Sequence, residues 1–301
     1  MCDDLTFEAD TIALAKRGLS RREFAAITAA TMTTMAAGSA AFAQPSPPDA
    51  KPAGPVPTSE TAVTITTPDG KMDGFFVYPT QGKHPAIVMW PDIAGLRDAY
   101  KVMARNLAAS GYAVLAVNQY YRSAPAPVMN TISDFFQPGG REKLGPMMQA
   151  ITNPGIASDA KALVAWLDAQ APVDNAKKIG VEGYCMTGGY GARCANAVPG
   201  RIGAASSFHG GSLVTGQPDS PDKLMKGTTA LYLFAVAQND DVARPDERTQ
   251  LRLAAEDAQV GARIELFAAD HGWCTLDAPS YHAEEANRAR ILSLWNYSRM
   301  G

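Results

Sequence analysis

From Thr61 onward the spacing of apolar and polar positions changes in an ordered way. The stretch "TAVTITTPDGKMDGFFVYP" (61–79) holds two β-rich runs around Asp69-Gly70 and predicts an antiparallel hairpin. "PAIVMW" (85–90) is continuously apolar, the mark of a strand covered on both faces, and "YAVLAVNQY" (112–120) follows as a further strand. Between them an amphipathic pattern runs from Arg97 to Ser110, with Gly111 as the stop. Further along, the alternation predicts a helix over 157–170, strand "KIGVEGY", a helix over 188–197, and strands "IGAASSFH" and "TALYLFAVA". A helix over 245–260, strand "ARIELFAAD" and a last helix over 281–299 complete the chain. Strands separated by helices predict an α/β domain over 60–301, its sheet mostly parallel and covered by helices on both faces.

Two regions break this rhythm. Residues 122–155 carry Pro and Gly clusters and the apolar pieces "DFF" and "GPMMQAI", which predicts an excursion over the sheet edge in the form of a small cap. At the other end, residues 1–43 look like a removable leader. Ser20-Arg21-Arg22-Glu23-Phe24 has the form of a twin-arginine export signal. An uncharged Ala/Thr/Met stretch follows, then Ala41-Phe42-Ala43, a small-x-small cleavage site. That stretch is too mildly apolar for a spanning helix, so no stable membrane anchor is expected after cleavage. The Pro-rich segment 44–59 reads as an extended linker. These features predict a periplasmic or secreted protein, exported folded by the twin-arginine machinery.

Composition narrows the classes. The 301 residues are 46% hydrophobic and 19% charged, with 27 basic and 30 acidic side chains, so there is no electrostatic footprint for nucleic acid. Four unevenly spaced cysteines with no CxxC pair argue against a zinc site and a disulfide framework. Cleavage would leave Cys185, Cys194 and Cys274, an odd number in an oxidising compartment.

The sharpest chemical signal is "KIGVEGYCMTGGYGARCANAV". Cys185 ends a buried strand, Gly183 precedes it, and Gly188 and Gly189 open a helix. This is the form of a nucleophile elbow, a tight strained turn that presents its central residue at the sheet's carboxyl edge, where the positive end of a helix favours thiolate. Thr187 stands where the usual pattern has Gly. A nucleophile of this fold is followed by an acid and then a histidine. Of four histidines, His84 precedes the elbow, His209 ends the very next strand, and His282 falls inside the last helix. His271, in the loop "DHGWC" after the last strand, fits. Asp240 or Asp241, after the preceding strand, would orient it, with a helix-capping role as the other use for either.

With "GYCMTGG", "SSFHGGSLVT", "AQND" and "DHGWC" in place, the sequence from about Thr61 to its end resembles the dienelactone hydrolase family, a Cys-His-Asp branch of the α/β-hydrolases. The resemblance implies an eight-stranded mostly parallel sheet, no metal, no cofactor, and hydrolysis of a small ester or lactone substrate. It also implies the triad Cys185, Asp240 and His271, with backbone N–H groups of Ile93 and Met186 as the oxyanion hole. Asp92 matches an acidic residue beside the resting thiol, where the well-known members carry Glu. Arg122 matches the first of two arginines that clamp a substrate carboxylate; Thr275 stands at the second. Tyr120 and Tyr121 read equally as sheet-edge packing or as substrate walls. The competing readings are a non-catalytic binding module and a thiol sensor on the same scaffold. Keeping Cys, Asp and His in order favours catalysis.

Overall fold

The computed structural model describes residues 56–301, so the export signal at 1–43 and most of the expected linker lie outside the described residues. The first strand, β1 (Thr58–Thr67), begins two residues inside that linker and pairs antiparallel with β2 (Gly70–Pro79). Their register matches Thr67 to Gly70, so Pro68 and Asp69 are the two loop residues. Gly70 opens β2 at φ 144°, a conformation that glycine reaches without strain. Strands β3 (Ala86–Trp90) and β4 (Ala113–Val117) are buried at every position, as their apolar runs require, and they pair parallel to each other. Strands β5 (Ile179–Tyr184), β6 (Ile202–Phe208), β7 (Leu231–Ala237) and β8 (Ala262–Phe267) complete one eight-stranded sheet in the order β1-β2-β4-β3-β5-β6-β7-β8. The hairpin joins it through the antiparallel β2–β4 pair, and all later pairings are parallel.

Among the described residues, eight α-helices lie between and after the strands: α1 (Asp98–Ala108), α2 (Gly140–Gln149), α3 (Asn153–Asp168), α4 (Tyr190–Ala197), α5 (Pro221–Leu224), α6 (Gln238–Ala243), α7 (Glu247–Ala258) and α8 (Ala283–Tyr297). One apolar cluster joins the sheet to α3, α4 and α7, and a second joins its other face to α1 and α8. Helix α3 starts four residues before its expected first residue. The Thr152 hydroxyl accepts the Gly155 N–H at 3.1 Å and Pro154 lies in the first turn, a cap worth about 1 kcal/mol. His282 lies just outside α8 rather than within it: its Nδ1 accepts the Glu285 N–H at 3.3 Å and caps the helix.

The excursion at 122–155 is a small cap. It holds a 3-10 turn (Ile132–Phe136) and α2, and its apolar residues meet the elbow rather than solvent. Val128, Met129, Ile132, Phe135 and Leu144 share a buried cluster with Ile93, Ala94, Tyr120, Ala278 and Cys185. The Cys185 turn therefore sits under the cap, at the carboxyl ends of the parallel strands, where ligands bind in sheets of this kind.

Candidate active site

Cys185 follows β5 directly and adopts φ 53°, left-handed backbone that an ordinary side chain takes only under constraint. The neighbours supply that constraint. A Cβ on Gly183 would collide with the Thr187 carbonyl, and one on Gly188 would meet the Ser207 hydroxyl at 2.7 Å. Thr187, the departure from the usual glycine, is fully buried. Its hydroxyl lies 2.8 Å from the Trp90 carbonyl and 3.0 Å from the Tyr184 carbonyl, and accepts the Tyr184 N–H at 2.8 Å. The side chain thus stitches the elbow to the end of β3, which a glycine could not do. The Cys185 carbonyl accepts N–H groups from Gly188 and Gly211, each at 3.1 Å, so the turn is tied to the helix that follows and to the loop after β6.

His271 and Asp240 are brought together. His271 Nδ1 lies 2.7 Å from Asp240 Oδ2, both side chains are buried, and the His271 N–H is held by Asn239 Oδ1 at 2.8 Å. Asp241 faces away. Its carboxylate receives Arg248 Nε at 2.5 Å and Nη2 at 2.9 Å, which ties α6 to α7. Both aspartates stand on α6, a short helix that starts immediately after β7.

His209 follows β6, the strand beside β5 and its elbow. The structure places its ring edge-on to His271, with centroids 4.8 Å apart, and edge-on to Trp273 at 5.2 Å. Tyr184, the residue before Cys185, lies 6.2 Å from it. Burial, reinforced by the neighbouring His271, holds the His209 imidazole well below its ordinary pKa, so it packs as a neutral ring. The only sequence trace of this role is its place at the carboxyl end of the strand next to the elbow.

The two oxyanion candidates lie on adjacent turns. Ile93 follows β3 and Met186 follows Cys185, and the buried Tyr120 hydroxyl joins them: it donates to the Ile93 carbonyl at 2.7 Å and lies 3.8 Å from the Met186 sulfur. Tyr120 therefore belongs to the Cys185 cluster. Tyr121 instead donates to Asp159 at 2.7 Å and lies 2.8 Å from the Thr67 hydroxyl.

Two further residues of the expected site have partners within the protein. Asp92, expected beside the resting thiol, is bound by Arg97, whose Nη1 and Nη2 donate to its two oxygens at 2.7 and 2.9 Å, and its Oδ1 also accepts the Ala94 N–H at 2.9 Å. A carboxylate held by a buried guanidinium is satisfied where it is. Arg122, the expected clamp arginine, has its fork on two carboxylates of the protein. Nη1 and Nη2 donate to the two oxygens of buried Asp159, each at 2.9 Å, while Nε and Nη2 donate to Asp69 Oδ2 at 3.0 and 2.6 Å. It ties the hairpin turn to α3. Cys185, Cys194 and Cys274 are all buried and unbridged.

Comparison with known proteins agrees with this architecture. The model of the "Dienelactone hydrolase family" matches residues 72–295. A Bradyrhizobium protein named "Probable 2-oxo-3-(5-oxofuran-2-ylidene)propanoate lactonase" is 25% identical over 161 residues, 53% of this chain and 60% of the relative. A Yersinia pestis protein named "Putative carboxymethylenebutenolidase" is 23% identical over 229 residues, 74% of this chain and 82% of the relative. The crystal structure of a "Putative Dienelactone Hydrolase" from Klebsiella pneumoniae superposes with TM-score 0.69 at 20% identity, covering 81% of this chain and 99% of that one. With a family match over most of the chain, and an eight-stranded mostly parallel sheet behind it, the chain belongs to the dienelactone hydrolase family, of α/β-hydrolase fold.

Proposed function

We propose that the protein hydrolyses a small carboxylic ester or lactone, with Cys185 as nucleophile, His271 as general base and then acid, and Asp240 as the group that orients the imidazole. The observation that carries this reading is the buried 2.7 Å contact between His271 Nδ1 and Asp240 Oδ2, in a fold whose elbow holds Cys185 at φ 53°. Asp240 fixes the tautomer with the proton on Nδ1, which leaves Nε2 to take a proton from the thiol. The thiolate attacks the substrate carbonyl, and the tetrahedral oxyanion is met by the N–H groups of Ile93 and Met186. Preorganised donors of this kind are worth roughly 3 kcal/mol each by comparison with side-chain deletions in other enzymes. Collapse expels the alkoxide, protonated by His271, and leaves a thioester at Cys185. Water, deprotonated by His271, then releases the acid and the free thiol.

Turnover of p-nitrophenyl acetate tests this. Cys185→Ala is expected to reduce kcat by at least about 10³-fold, and Asp240→Asn by about 10³ to 10⁴-fold through the wrong imidazole tautomer. Wild-type rates in the Cys185→Ala protein would refute the assignment.

A further inference from the structure

We infer that the substrate's acyl side is uncharged and apolar, and that this member of the family does not read a carboxylate on its substrate. The inference rests on the hydrolytic reading of Cys185 and goes further by assigning what the cap recognises. Both curated relatives described above carry names of carboxylate-bearing lactone chemistry, so the two expectations diverge.

The first ground is the fate of the arginines. An arginine clamp needs a guanidinium fork facing the ligand, since bidentate pairing depends on geometry. Arg122 has its fork on Asp159, whose side chain is only 2% exposed, and its remaining edge on Asp69. Recruiting it for a ligand would strand the Asp159 carboxylate in the protein with only the Tyr121 hydroxyl as partner. At the second clamp position Thr275 is buried, its hydroxyl 3.4 Å from that of Tyr100. Arg97, the arginine on the Ile93 loop, is wholly enclosed between Asp92 and Asp277, with Nε and Nη2 donating to Asp277 at 2.8 and 2.7 Å. Each of these arginines is already matched by carboxylates of the protein.

The second ground is what surrounds the nucleophile. The buried cluster that contains Cys185 is made of Ile93, Tyr120, Met129, Phe135 and their neighbours, with Met147 and Met186 packed against it. Methionine and aromatic side chains adapt to irregular apolar groups and offer a carboxylate no charge. The polar groups recorded against this cluster are engaged on it: the Tyr120 hydroxyl donates to the Ile93 carbonyl, Lys143 Nζ donates to the Val128 carbonyl at 2.6 Å, and the Arg141 guanidinium lies over the Phe135 ring at 5.9 Å. Cap and elbow together therefore favour alkyl or aryl acyl groups.

The test uses two esters with six-carbon acyl chains, p-nitrophenyl hexanoate and mono-p-nitrophenyl adipate, which differ by a terminal carboxylate. Wild-type kcat/KM is expected to favour hexanoate by at least about tenfold after subtraction of spontaneous hydrolysis. Arg122→Gln should leave that ratio within about twofold, because the guanidinium does not touch substrate. A second measurement needs no turnover: hexanamide should slow alkylation of Cys185 by iodoacetamide at concentrations where adipic acid monoamide does not. Equal or better turnover of the adipate ester, or protection by the anionic amide, overturns the inference. If hexanamide alone protects Cys185 but neither ester is hydrolysed, the apolar pocket stands and the hydrolytic reading falls.

Discussion

Two groups of buried carboxylates lie on the α1–α8 face of the sheet, and the protein keeps them by opposite means. Around Arg97, four charge-assisted hydrogen bonds of 2.7 to 2.9 Å hold Asp92 on one side and Asp277 on the other. Burial alone would lower the pKa of this guanidinium, but Asp277 and Asp92 more than reverse that and hold it well above its ordinary value. Glu182, three residues before the elbow cysteine, has no such cation: its two oxygens accept the hydroxyls of Tyr184 and Tyr297, each at 2.9 Å. Burial lifts its pKa from 4.5 to about 7 against the opposing pull of the two phenols. The groups are neighbours, because Tyr100 accepts the Asp92 N–H at 2.9 Å and stands edge-on to Tyr184 at 5.3 Å. Around Arg97 a fixed guanidinium answers both carboxylates. Where only phenols do, protonation near neutral pH is the easier outcome.

The comparison predicts its largest effect at Arg97. Arg97→Met leaves two buried carboxylates uncompensated and should destabilise the fold by about 3–5 kcal/mol in urea unfolding. Replacing the carboxylates as well, with Arg97→Met, Asp92→Asn and Asp277→Asn combined, should recover most of that loss, because the dominant cost is the unpaired charge. If the single variant is as stable as wild type, the ion cluster does not hold the Ile93 loop to the loop after His271.

The middle effect belongs to Glu182 and depends on pH. Its folded pKa of about 7 lies above the ordinary value of 4.5, so the native state holds the proton longer than the unfolded chain does. The resulting stability is complete below pH 4.5 and is lost as pH rises through about 7, a fall of about 3 kcal/mol at most from this group. Glu182→Gln removes the titration. Unfolding at pH 5 and pH 8 should show a flatter dependence in the variant, which at pH 8 should exceed wild type by about 1–3 kcal/mol. Parallel pH slopes in the two proteins would mean that Glu182 does not titrate in this window.

How far these features could be read from the sequence follows the distance over which each is decided. The elbow is settled within six residues by backbone sterics, so Gly183, Cys185 and Gly188 announce it, and the β3 and β4 runs announce buried parallel strands by lacking a polar face. Boundaries shift where a local cap decides: Thr152 starts α3 early, and His282 ends up outside α8. Arg97 meets Asp277 across 180 residues and Arg122 meets Asp159 across 37, and no local pattern shows that these carboxylates exist to receive them. A motif match could therefore point to Arg122 and Asp92 without showing which charges of this chain they meet. His209 was hidden for a related reason: its contact with His271 joins loops after β6 and β8, whose strands are separated by β7.

The smallest effect sharpens the same contrast at the surface. Asp241 and Arg248 repeat the carboxylate–guanidinium pairing of Asp92 and Arg97, but their side chains remain 17% and 27% exposed. Water solvates either partner when the other is lost, so Asp241→Asn should cost only about 0.5 kcal/mol, against several for Arg97→Met. The adjacent Asp240 gives the catalytic control, since it faces His271 while Asp241 faces α7. Turnover of p-nitrophenyl acetate by the Asp241→Asn protein should therefore stay within about twofold of wild type, where Asp240→Asn abolishes most of it. The reverse pattern, an inactive Asp241→Asn protein beside an active Asp240→Asn one, would transfer the orienting role to Asp241. It would also show that proximity to His271 in the resting structure is not what selects the acid.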